Sequence, residues 1–574
     1  MTAKNKRRVL LFTATLLIAA AFGVQGVNQQ AIEAGYEASP IDYGCLAATM
    51  GGPSLGKSQK IKAYGYSIRP LKTWNSIPAQ PGQKTIVGSW SPDLARAQKR
   101  GDFSSYGCGL QIRRFEKGGG ITTTNESEAK DKEEEEAEKK RKAEEKKRLR
   151  GLEKIRMRMN PKNIEEWLEG QFENAAKRYV PKAIKAGKLK GKLIEFTGGR
   201  TAYCIGVFER DGFEWGVIYT APEAAYKKNW KKIYTRSIKS FRLIGTKGRI
   251  ERTVAVKDLK KLSPEKRRAA LKSQIKGNPG WYAIDSKNYV FLSNSKNKSF
   301  VKSLSKQIEA LRKAVYEKMF PPQVQITTVC TVRVLSTQSE YYQYGGPRGS
   351  AGYWNSRKEE LVLFDSFDGL GKKKSRAATR SVMYHEAFHQ YIHYAVGELA
   401  PHPWFNEGHG DYFAGARISG SKVGIGTFEW RTDYLKRLLR DDGNSLIPTR
   451  SLIRLPQSEY YNNAGMKYSQ GWAFVYYLRK VTKNKKWSAA LDTYFDYLSE
   501  NVASFKKKKK EKEDEDDGKS GPGGDLPGLA GITVVDWEDQ EKIKEILETA
   551  VDKAFDGIDL EKLDKSFERW VRSL

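Results

Sequence analysis

All five histidines of this 574-residue chain lie between His385 and His409. Histidine is the commonest metal ligand in proteins, and the window opens with His385, Glu386 and His389 in the spacing H-E-x-x-H. Residues four apart share one face of a helix, so both histidines can bind one ion. A carboxylate beside such an ion can take a proton from the attacking water. The spacing therefore predicts a zinc site with Glu386 as the general base.

A third ligand has to come from outside this helix. Residues 401–415 (PHPWFNEGHGDYFAG) supply two carboxylates four positions apart, Glu407 and Asp411, which share one helix face. We predict that Glu407 binds the ion and that Asp411 accepts the remaining N–H of a ligand histidine, as carboxylates around zinc sites do. His409 is the competing third ligand, but at this spacing it points away from the face of Glu407 and Asp411.

The remaining histidines are predicted to be bystanders. His393 lies two turns beyond His385 and has rotated off the shared face of the helix. A metzincin would place its third histidine where this chain has Ala395, so that class of zinc protease is excluded. His402 is likewise expected to be a bystander. The expected ligand set for Zn²⁺ therefore contains two histidines and one glutamate.

Two segments carry a resemblance to known enzymes. HEAFH (385–389) and WFNEGHGDYF (404–413) resemble the gluzincin metallopeptidases, and most of all the peptidase-MA-like group of bacterial exported proteins. The resemblance covers about residues 281–574. It implies a zinc metallopeptidase acting on a peptide or protein, with zinc bound by His385, His389 and Glu407. His409 departs from the pattern of that group, which usually has a small or apolar residue at this position.

A hydrolase of this kind also has to stabilise the oxyanion of the reaction. Thermolysin-like gluzincins use a downstream histidine, and this chain has none after His409. Aminopeptidase-type gluzincins carry a tyrosine in a Y-x-x-G pattern, which Tyr468 matches. The resemblance therefore implies Tyr468 in this role, with Tyr460 and Tyr461 as alternates. The strand that captures a free substrate amine in those aminopeptidases is missing from the sequence, so exopeptidase activity is not predicted.

A helix and a sheet have to position these residues. Apolar residues recur at helical spacing through residues 379–396, which predicts one helix around the H-E-x-x-H motif. Just upstream, residues 359–365 (EELVLFD) are typical of a strand, and we expect this strand to pair with an extended peptide by β-addition. Strands before the motif and helices after it predict a small β-sheet followed by a mostly α-helical half over residues 281–574.

The N-terminal half predicts a separate module over residues 60–245. Strands, a helix, further strands and a closing helix indicate an α+β sandwich. Its segments GYSIRPLKTW (65–74) and IYTRSIKSFRLI (233–244) resemble PsbP-like domains. The module contains no histidine, so we expect a binding or structural role. The predicted fold class of the whole chain is α+β, with this sandwich followed by a gluzincin domain.

Three segments depart from the composition of a folded core. Residues 117–150 form a charged insertion within the N-terminal module, and residues 246–280 are a polar, lysine-rich linker with some helical character. Residues 506–528 combine a lysine block, an acidic block and a Gly/Pro-rich tail. Blocks of like charge and a Gly/Pro-rich composition are typical of disorder, so we predict a disordered charged loop there.

The N-terminus predicts export. Residues 1–26 combine a basic start, an apolar run and small residues, which is typical of a signal peptide, with an uncleaved anchor as the alternative. We therefore expect a periplasmic, secreted or membrane-anchored protein. Export permits disulfide bonds, but the sequence leaves the pairing of the four cysteines open: Cys45, Cys108, Cys204 and Cys330.

The chain is strongly basic, with 102 Lys and Arg against 68 Asp and Glu and a net charge of +34. Such a field attracts anionic partners, and an anionic envelope surface is the candidate. No nucleic-acid-binding motif accompanies the charge, so no specific nucleic acid is predicted. Two other functions stay open: an envelope-associated binding protein with a structural or vestigial zinc site, and a zinc hydrolase of a non-peptide bond. The sequence does not predict the oligomeric state.

Overall fold

The computed structural model describes these residues: 53–80, 85–92, 107–116, 153–154, 156–158, 161–244, 259–276, 278–347, 349–365, 371–441, 446–462, 464–516 and 537–574. The predicted signal segment 1–26, Cys45 and the charged insertion 117–150 lie outside them. No helix within these ranges is long and apolar enough to span a membrane. The three described cysteines, Cys108, Cys204 and Cys330, are buried and form no disulfide bond.

The N-terminal module is built on antiparallel sheets. Its elements are β1 (Gln59–Ile61), β2 (Tyr66–Ile68), β3 (Trp74–Ile77), β4 (Ile86–Pro92), β5 (Gly109–Glu116), α1 (Ile164–Gln171), β6 (Lys182–Ala186), β7 (Leu189–Gly198), β8 (Thr201–Arg210), β9 (Phe213–Pro222), α2 (Lys231–Ile238) and β10 (Arg242–Leu243). The main sheet has the order β3-β4-β5-β9-β8-β7-β6, and a small sheet has the order β1-β2-β10. Helix α1 covers one face of the main sheet through Ile164 and Leu168, while α2 and the small sheet cover the other.

The C-terminal domain opens on a mixed sheet between two layers of helices. Its elements are α3 (Pro264–Ser273), β11 (Tyr282–Asp285), β12 (Tyr289–Ser293), α4 (Lys298–Leu311), β13 (Cys330–Leu335), α5 (Gln338–Tyr344), β14 (Gly352–Asn355), β15 (Glu360–Phe364) and α6 (Lys372–Ala395). The strand order is β11-β12-β13-β15-β14. Strands β12, β13 and β15 are parallel, and the edge strands β11 and β14 are antiparallel to their neighbours. Helices α4 and α6 pack on one face, and α3 and α5 pack on the other.

The rest of the chain is mostly helical. Its elements are α7 (Pro403–Ala414), β16 (Ala416–Ser419), β17 (Lys422–Ile425), α8 (Glu429–Asp441), α9 (Thr449–Leu452), α10 (Gln457–Tyr461), α11 (Ala464–Tyr476), α12 (Lys485–Asp516), α13 (Trp537–Phe555) and α14 (Leu560–Ser573). Helix α7 packs between α6 and α11. Gly408 permits this close approach, because a Cβ there would lie 2.8 Å from the carbonyl oxygen of Gly471. The chain is thus of the predicted α+β class.

The two halves of the chain are packed together through strand β3. The side chain of Ile77 is buried in the core of the C-terminal domain beside Tyr341. The indole N–H of Trp281 donates to the backbone carbonyl of Ser76 at 2.7 Å. The N-terminal module therefore rests on the face of the second sheet that lies opposite the H-E-x-x-H helix.

Part of the predicted linker is integral to the C-terminal domain. Residues 246–258 lie outside the described residues, but α3 packs on the second sheet. Its Arg267 is buried and pairs with Glu359 at 2.8 Å. A buried charge is stable only when paired, and this pairing ties α3 to the turn before β15. Sequence composition indicates the polarity of the segment but not this buried partner.

The predicted disordered loop is helical in its first part. Residues 506–516 continue α12, whereas residues 517–528 lie outside the described residues. Within this helix Lys507 and Glu511 lie 3.9 Å apart as an i,i+4 pair. Lysines followed four residues later by acids stabilise a helix. Residues 506–516 therefore differ from the expected disordered loop, because opposite charges four residues apart support a helix.

Candidate metal centre

Helices α6 and α7 bring three metal-ligating side chains together. His385 and His389 lie one turn apart on α6, and Glu407 faces them from α7. The two Nε2 atoms are 2.9 Å apart, and Glu407 Oε2 lies 3.1 Å from the first and 3.2 Å from the second. All three side chains are buried. Within the part of the chain that the structure describes, these residues form a group that could hold one metal ion, as the sequence predicts.

Hydrogen bonds behind the two imidazoles determine which nitrogen faces the centre. His385 Nδ1 donates to Asp411 Oδ1 at 3.0 Å, and His389 Nδ1 donates to Asn406 Oδ1 at 2.8 Å. A neutral imidazole with its proton on Nδ1 has a lone pair on Nε2. Both Nε2 lone pairs therefore point towards Glu407. Asp411 occupies the position that the sequence predicts for it.

Three electron-pair donors that face one another need positive charge between them, which either protons on the imidazoles or a metal ion can supply. The donor atoms of His385, His389 and Glu407 are separated by 2.9, 3.1 and 3.2 Å. Ligand atoms about 2.0–2.1 Å from one zinc ion at tetrahedral angles lie about 3.3 Å from each other. Two imidazoles and one glutamate are also a common ligand set for catalytic zinc. The residues present therefore fit Zn²⁺.

The electrostatics of the centre favour a positive charge. Burial by itself lowers the pKa of His385, but hydrogen bonds to Asp411 and Glu407 outweigh burial and raise the pKa to about 10. Burial also opposes ionisation of Glu407, yet the imidazoles of His389 and His385 hold its pKa well below the usual range. A metal ion supplies the same positive charge and displaces the protons from its ligands.

Arg431 extends the hydrogen-bond network behind His385. Its Nε donates to Asp411 Oδ2 at 2.6 Å, while the other oxygen of Asp411 holds His385. Both Arg431 and Asp411 are fully buried. The guanidinium also lies 5.1 Å from the centre of the Tyr468 ring. No spacing pattern connects Arg431, on α8, with the H-E-x-x-H motif, so tertiary packing alone identifies it.

Two further residues of α7 shape the centre. Asn406 orients His389, and its place directly before Glu407 was the signal that sequence analysis missed. Gly410 leaves room for the imidazole of His385, because a Cβ there would lie 2.8 Å from the ring. Real Cβ atoms do not approach other side chains so closely. The segment N-E-G-H-G-D thus supplies a ligand, two orienting partners and the space for the first histidine.

Glu386 lies beside the ligands without joining them. It is buried, and its Oε2 accepts a hydrogen bond of 2.8 Å from the backbone N–H of Trp354 in strand β14. Burial raises the pKa of Glu386 above its ordinary value, and the imidazoles of His385 and His389 offset only part of this rise. A buried carboxylate with a raised pKa next to a metal-ligand group is the environment expected of a general base.

Three tyrosines of helices α10 and α11 lie at or near the candidate metal centre. The hydroxyl of Tyr461 donates to Glu407 Oε1 at 2.8 Å. Tyr468 instead stacks its ring on the imidazole of His385, with centroids 6.4 Å apart. Tyr460 is fully buried, and its hydroxyl donates to a backbone carbonyl. The hydroxyl that directly contacts a ligand side chain therefore belongs to Tyr461, an alternate in the sequence analysis, and not to Tyr468.

The other histidines lie outside the ligand group. His393 packs beside Trp354, with ring centroids 5.8 Å apart. His402 Nδ1 is 2.9 Å from the hydroxyl of Tyr494. His409 is fully buried, and its Nδ1 donates to a backbone carbonyl one turn earlier in α7. Each therefore has a packing or hydrogen-bonding partner of its own.

Among the strands that the structure describes, β14 and not β15 has an edge beside the centre that no other strand covers. Strand β15, over residues 360–364, is paired on both sides, with β13 and with β14. Strand β14 is the last strand of this sheet and contains Trp354, which contacts Glu386. The expectation that β15 adds a peptide strand was wrong. Residue type and alternation identify a strand but not its place in the sheet.

We predict that Asp411→Asn weakens zinc binding by about ten- to a hundredfold, the usual effect of losing a partner of a ligand histidine. An asparagine cannot accept hydrogen bonds on both sides, so either His385 or Arg431 loses its partner. Competition with a zinc chelator measures the change. Asp433→Asn, which removes the same charge from the exposed face of α8, serves as the control. Equal zinc affinity in the two variants would contradict a role for Asp411.

Comparisons with known proteins add little to this geometry. No family model matches the chain, and no curated protein matches it. Among solved structures, the solution structure of the cyanobacterial PsbP protein CyanoP from Synechocystis is similar at 10% sequence identity. That match covers 35% of this chain and 96% of the other, with a TM-score of 0.20. The likeness is too weak to carry any argument about fold or function.

Proposed function

We propose that the protein is an exported zinc metallopeptidase of the gluzincin type. The observation that carries the proposal is the buried convergence of His385, His389 and Glu407, with Glu386 next to them on the same helix. A ligand set that fits Zn²⁺ beside a carboxylate of raised pKa is suited to metal-assisted hydrolysis. The resemblance of the two motif segments to gluzincins supports a peptide bond as the bond that is cleaved.

The residues around the centre have separate roles in this proposal. When bound, zinc would supply a Lewis acid and a water molecule of pKa about 7. Glu386 takes the proton of the attacking water and passes it to the leaving amine, which regenerates the carboxylate. The N–H of Trp354 holds one oxygen of Glu386 in place. Asp411 and Asn406 keep the ligand imidazoles in the required orientation.

The edge strand β14 favours an extended peptide as the substrate. A peptide can add to a free strand edge through backbone hydrogen bonds. The N–H of Trp354 on this edge already donates to Glu386, so a peptide that pairs with the remaining backbone groups of β14 would run beside the general base. A small non-peptide substrate would not use this edge. We therefore propose internal cleavage of extended protein segments.

Tyr461 is the residue that we propose for the oxyanion, because its hydroxyl lies at the candidate metal centre, 2.8 Å from Glu407 Oε1. Its one O–H would turn from that carboxylate to the oxyanion when substrate binds. Tyr461→Phe is expected to lower kcat by about 10²–10³, the usual cost of one lost oxyanion donor. Tyr468→Phe removes the hydroxyl group from the ring that stacks on His385, and we expect a much smaller loss of kcat. The kcat values of the two variants decide between the residues. A larger loss in Tyr468→Phe would restore the role implied by the sequence resemblance.

Metal analysis and digestion of a peptide library test the function as a whole. We expect about one zinc per chain, cleavage within peptides, loss of cleavage with a chelator, and recovery when zinc is added back. Zinc-loaded protein that cleaves no peptide would favour the envelope-associated binding protein. Cleavage of esters or amides outside peptides, without peptide cleavage, would favour a different zinc hydrolase. Protein without stoichiometric metal after purification in zinc would contradict the proposal.

A further inference from the structure

A hairpin at the edge of the N-terminal sheet carries a basic surface. Strands β6 and β7 are joined by a two-residue turn, and residues 174–194 include no Asp or Glu. The exposed lysines of this hairpin are here called the lysine edge: Lys182, Lys185, Lys188, Lys190 and Lys192. Lys182 lies 3.8 Å from Glu195. The other four form no ion pair with any residue that the structure describes.

Two lysines of this edge face each other. Lys185 is the direct cross-strand partner of Lys190 in the antiparallel register. Directly opposed side chains lie on the same face of a sheet, and like charges in this position are destabilising. Lysines placed singly along an edge strand prevent aggregation. Glu209 follows the registered pair Gly191–Phe208 and therefore lies beside Lys190 on strand β8. Two carboxylates, Glu195 and Glu209, thus border five lysines, and this excess of positive charge attracts an anion from outside the chain.

An exposed apolar side chain stands next to the lysine edge. Val180, two residues before β6, is 83% exposed, and among the described residues only Val324 is a comparably exposed large hydrophobic. Apolar side chains beside lysines are typical of surfaces that lie in the headgroup region of a bilayer. Binding of single-stranded nucleic acid relies on exposed aromatic rings, whereas the neighbouring ring of Tyr179 packs edge-on against Phe196. The surface therefore matches an anionic lipid bilayer better than a nucleic acid.

We propose that the lysine edge and Val180 dock the N-terminal module on a bilayer that contains anionic lipid. The lysines bind headgroup phosphates, and Val180 enters the boundary between headgroups and acyl chains. Strand β6 is the last strand of its sheet, so side chains from both faces of the hairpin can reach one plane. The proposal is independent of the zinc centre and of any peptidase activity.

Co-sedimentation with vesicles tests this surface. The protein is residues 27–574, which retain every described residue and leave out the apolar N-terminal segment. We expect no binding to phosphatidylcholine vesicles, and binding when phosphatidylglycerol replaces about a third of that lipid. High salt should abolish the binding because exposed charges are screened. Equal binding to both kinds of vesicle would overturn the proposal.

A double variant locates the binding. Lys185→Gln with Lys190→Gln is expected to bind anionic vesicles about thirty-fold more weakly, since each lysine near such a surface contributes about fivefold. Its thermal unfolding midpoint should not fall, because a repulsive pair has been removed. The control is Lys302→Gln with Lys306→Gln, two exposed lysines of α4 with the same change of charge. An equal loss of vesicle binding in both double variants would overturn the assignment of the binding surface to the lysine edge.

Val180→Ser separates a bilayer from a soluble polyanion. We expect several-fold weaker binding to anionic vesicles, from the loss of buried apolar surface, and unchanged binding to inorganic polyphosphate. No change in vesicle binding would overturn the role of Val180 and with it the bilayer assignment. Binding of a single-stranded oligonucleotide or polyphosphate without any binding of vesicles would assign the surface to a soluble polyanion instead.

Discussion

Replacing Glu386 with glutamine is expected to lower the rate of peptide hydrolysis by about two to four orders of magnitude while the protein keeps its zinc. Glutamine has the shape of glutamate and can still accept the hydrogen bond from the N–H of Trp354, but it cannot take a proton from water. The ligands are untouched by the change. Steady-state kinetics and metal analysis on the same preparation measure both quantities.

Without metal, the stability of Glu386→Gln is expected to equal or exceed that of the parent protein without metal. Burial raises the pKa of Glu386, so an ionised carboxylate at this position costs folding free energy that a neutral amide does not. Glu398→Gln, a half-exposed glutamate just beyond the end of α6, is the control and should retain activity. Full activity in Glu386→Gln would refute the role of Glu386 as the general base. Loss of zinc from this variant would indicate that Glu386 is itself a zinc ligand.

Replacing Glu407 with glutamine is expected to weaken zinc binding by at least about a hundredfold, which exceeds the usual effect of losing an outer partner. The neutral amide oxygen is a poorer ligand than a carboxylate, and the two histidines alone leave the ion without a balancing negative charge. The protein should then be purified without stoichiometric zinc and without activity. Metal analysis and chelator competition measure the loss.

His409→Asn is the matched control for the third ligand, since His409 was the competing candidate. Asparagine can donate the same hydrogen bond to the backbone that His409 makes through Nδ1. We expect this variant to keep its zinc, with a lower thermal midpoint because a fully buried aromatic ring is lost. Retention of zinc in Glu407→Gln and its loss in His409→Asn would reverse the assignment.

Local helical spacing explains why the residues of the candidate metal centre could be predicted to lie together. His385 and His389 share a face, as do Glu407 and Asp411, because the 3.6-residue turn is a property of the chain itself. The structure brings the first three together and places the fourth behind His385. The prediction needed only that the two helices pack against each other with these faces turned inward.

Long-range contacts explain what could not be predicted. Tyr461 and Tyr468 lie on different helices, and only the packing of α10 and α11 decides which hydroxyl reaches Glu407. Arg431 reaches Asp411 from α8 without any spacing signal. The open edge belongs to β14 because of strand order, which residue type does not encode.

The sequence by itself determined which two histidines and which carboxylates share a helix face, and that the class is α+β. These follow from periodicities that act over a few residues. Tertiary structure decided which hydroxyl, arginine and strand edge surround the H-E-x-x-H motif, and that the N-terminal module rests on the C-terminal sheet through Ile77. Such contacts depend on how whole elements pack, because burial and hydrogen bonding between distant segments have no fixed spacing along the chain.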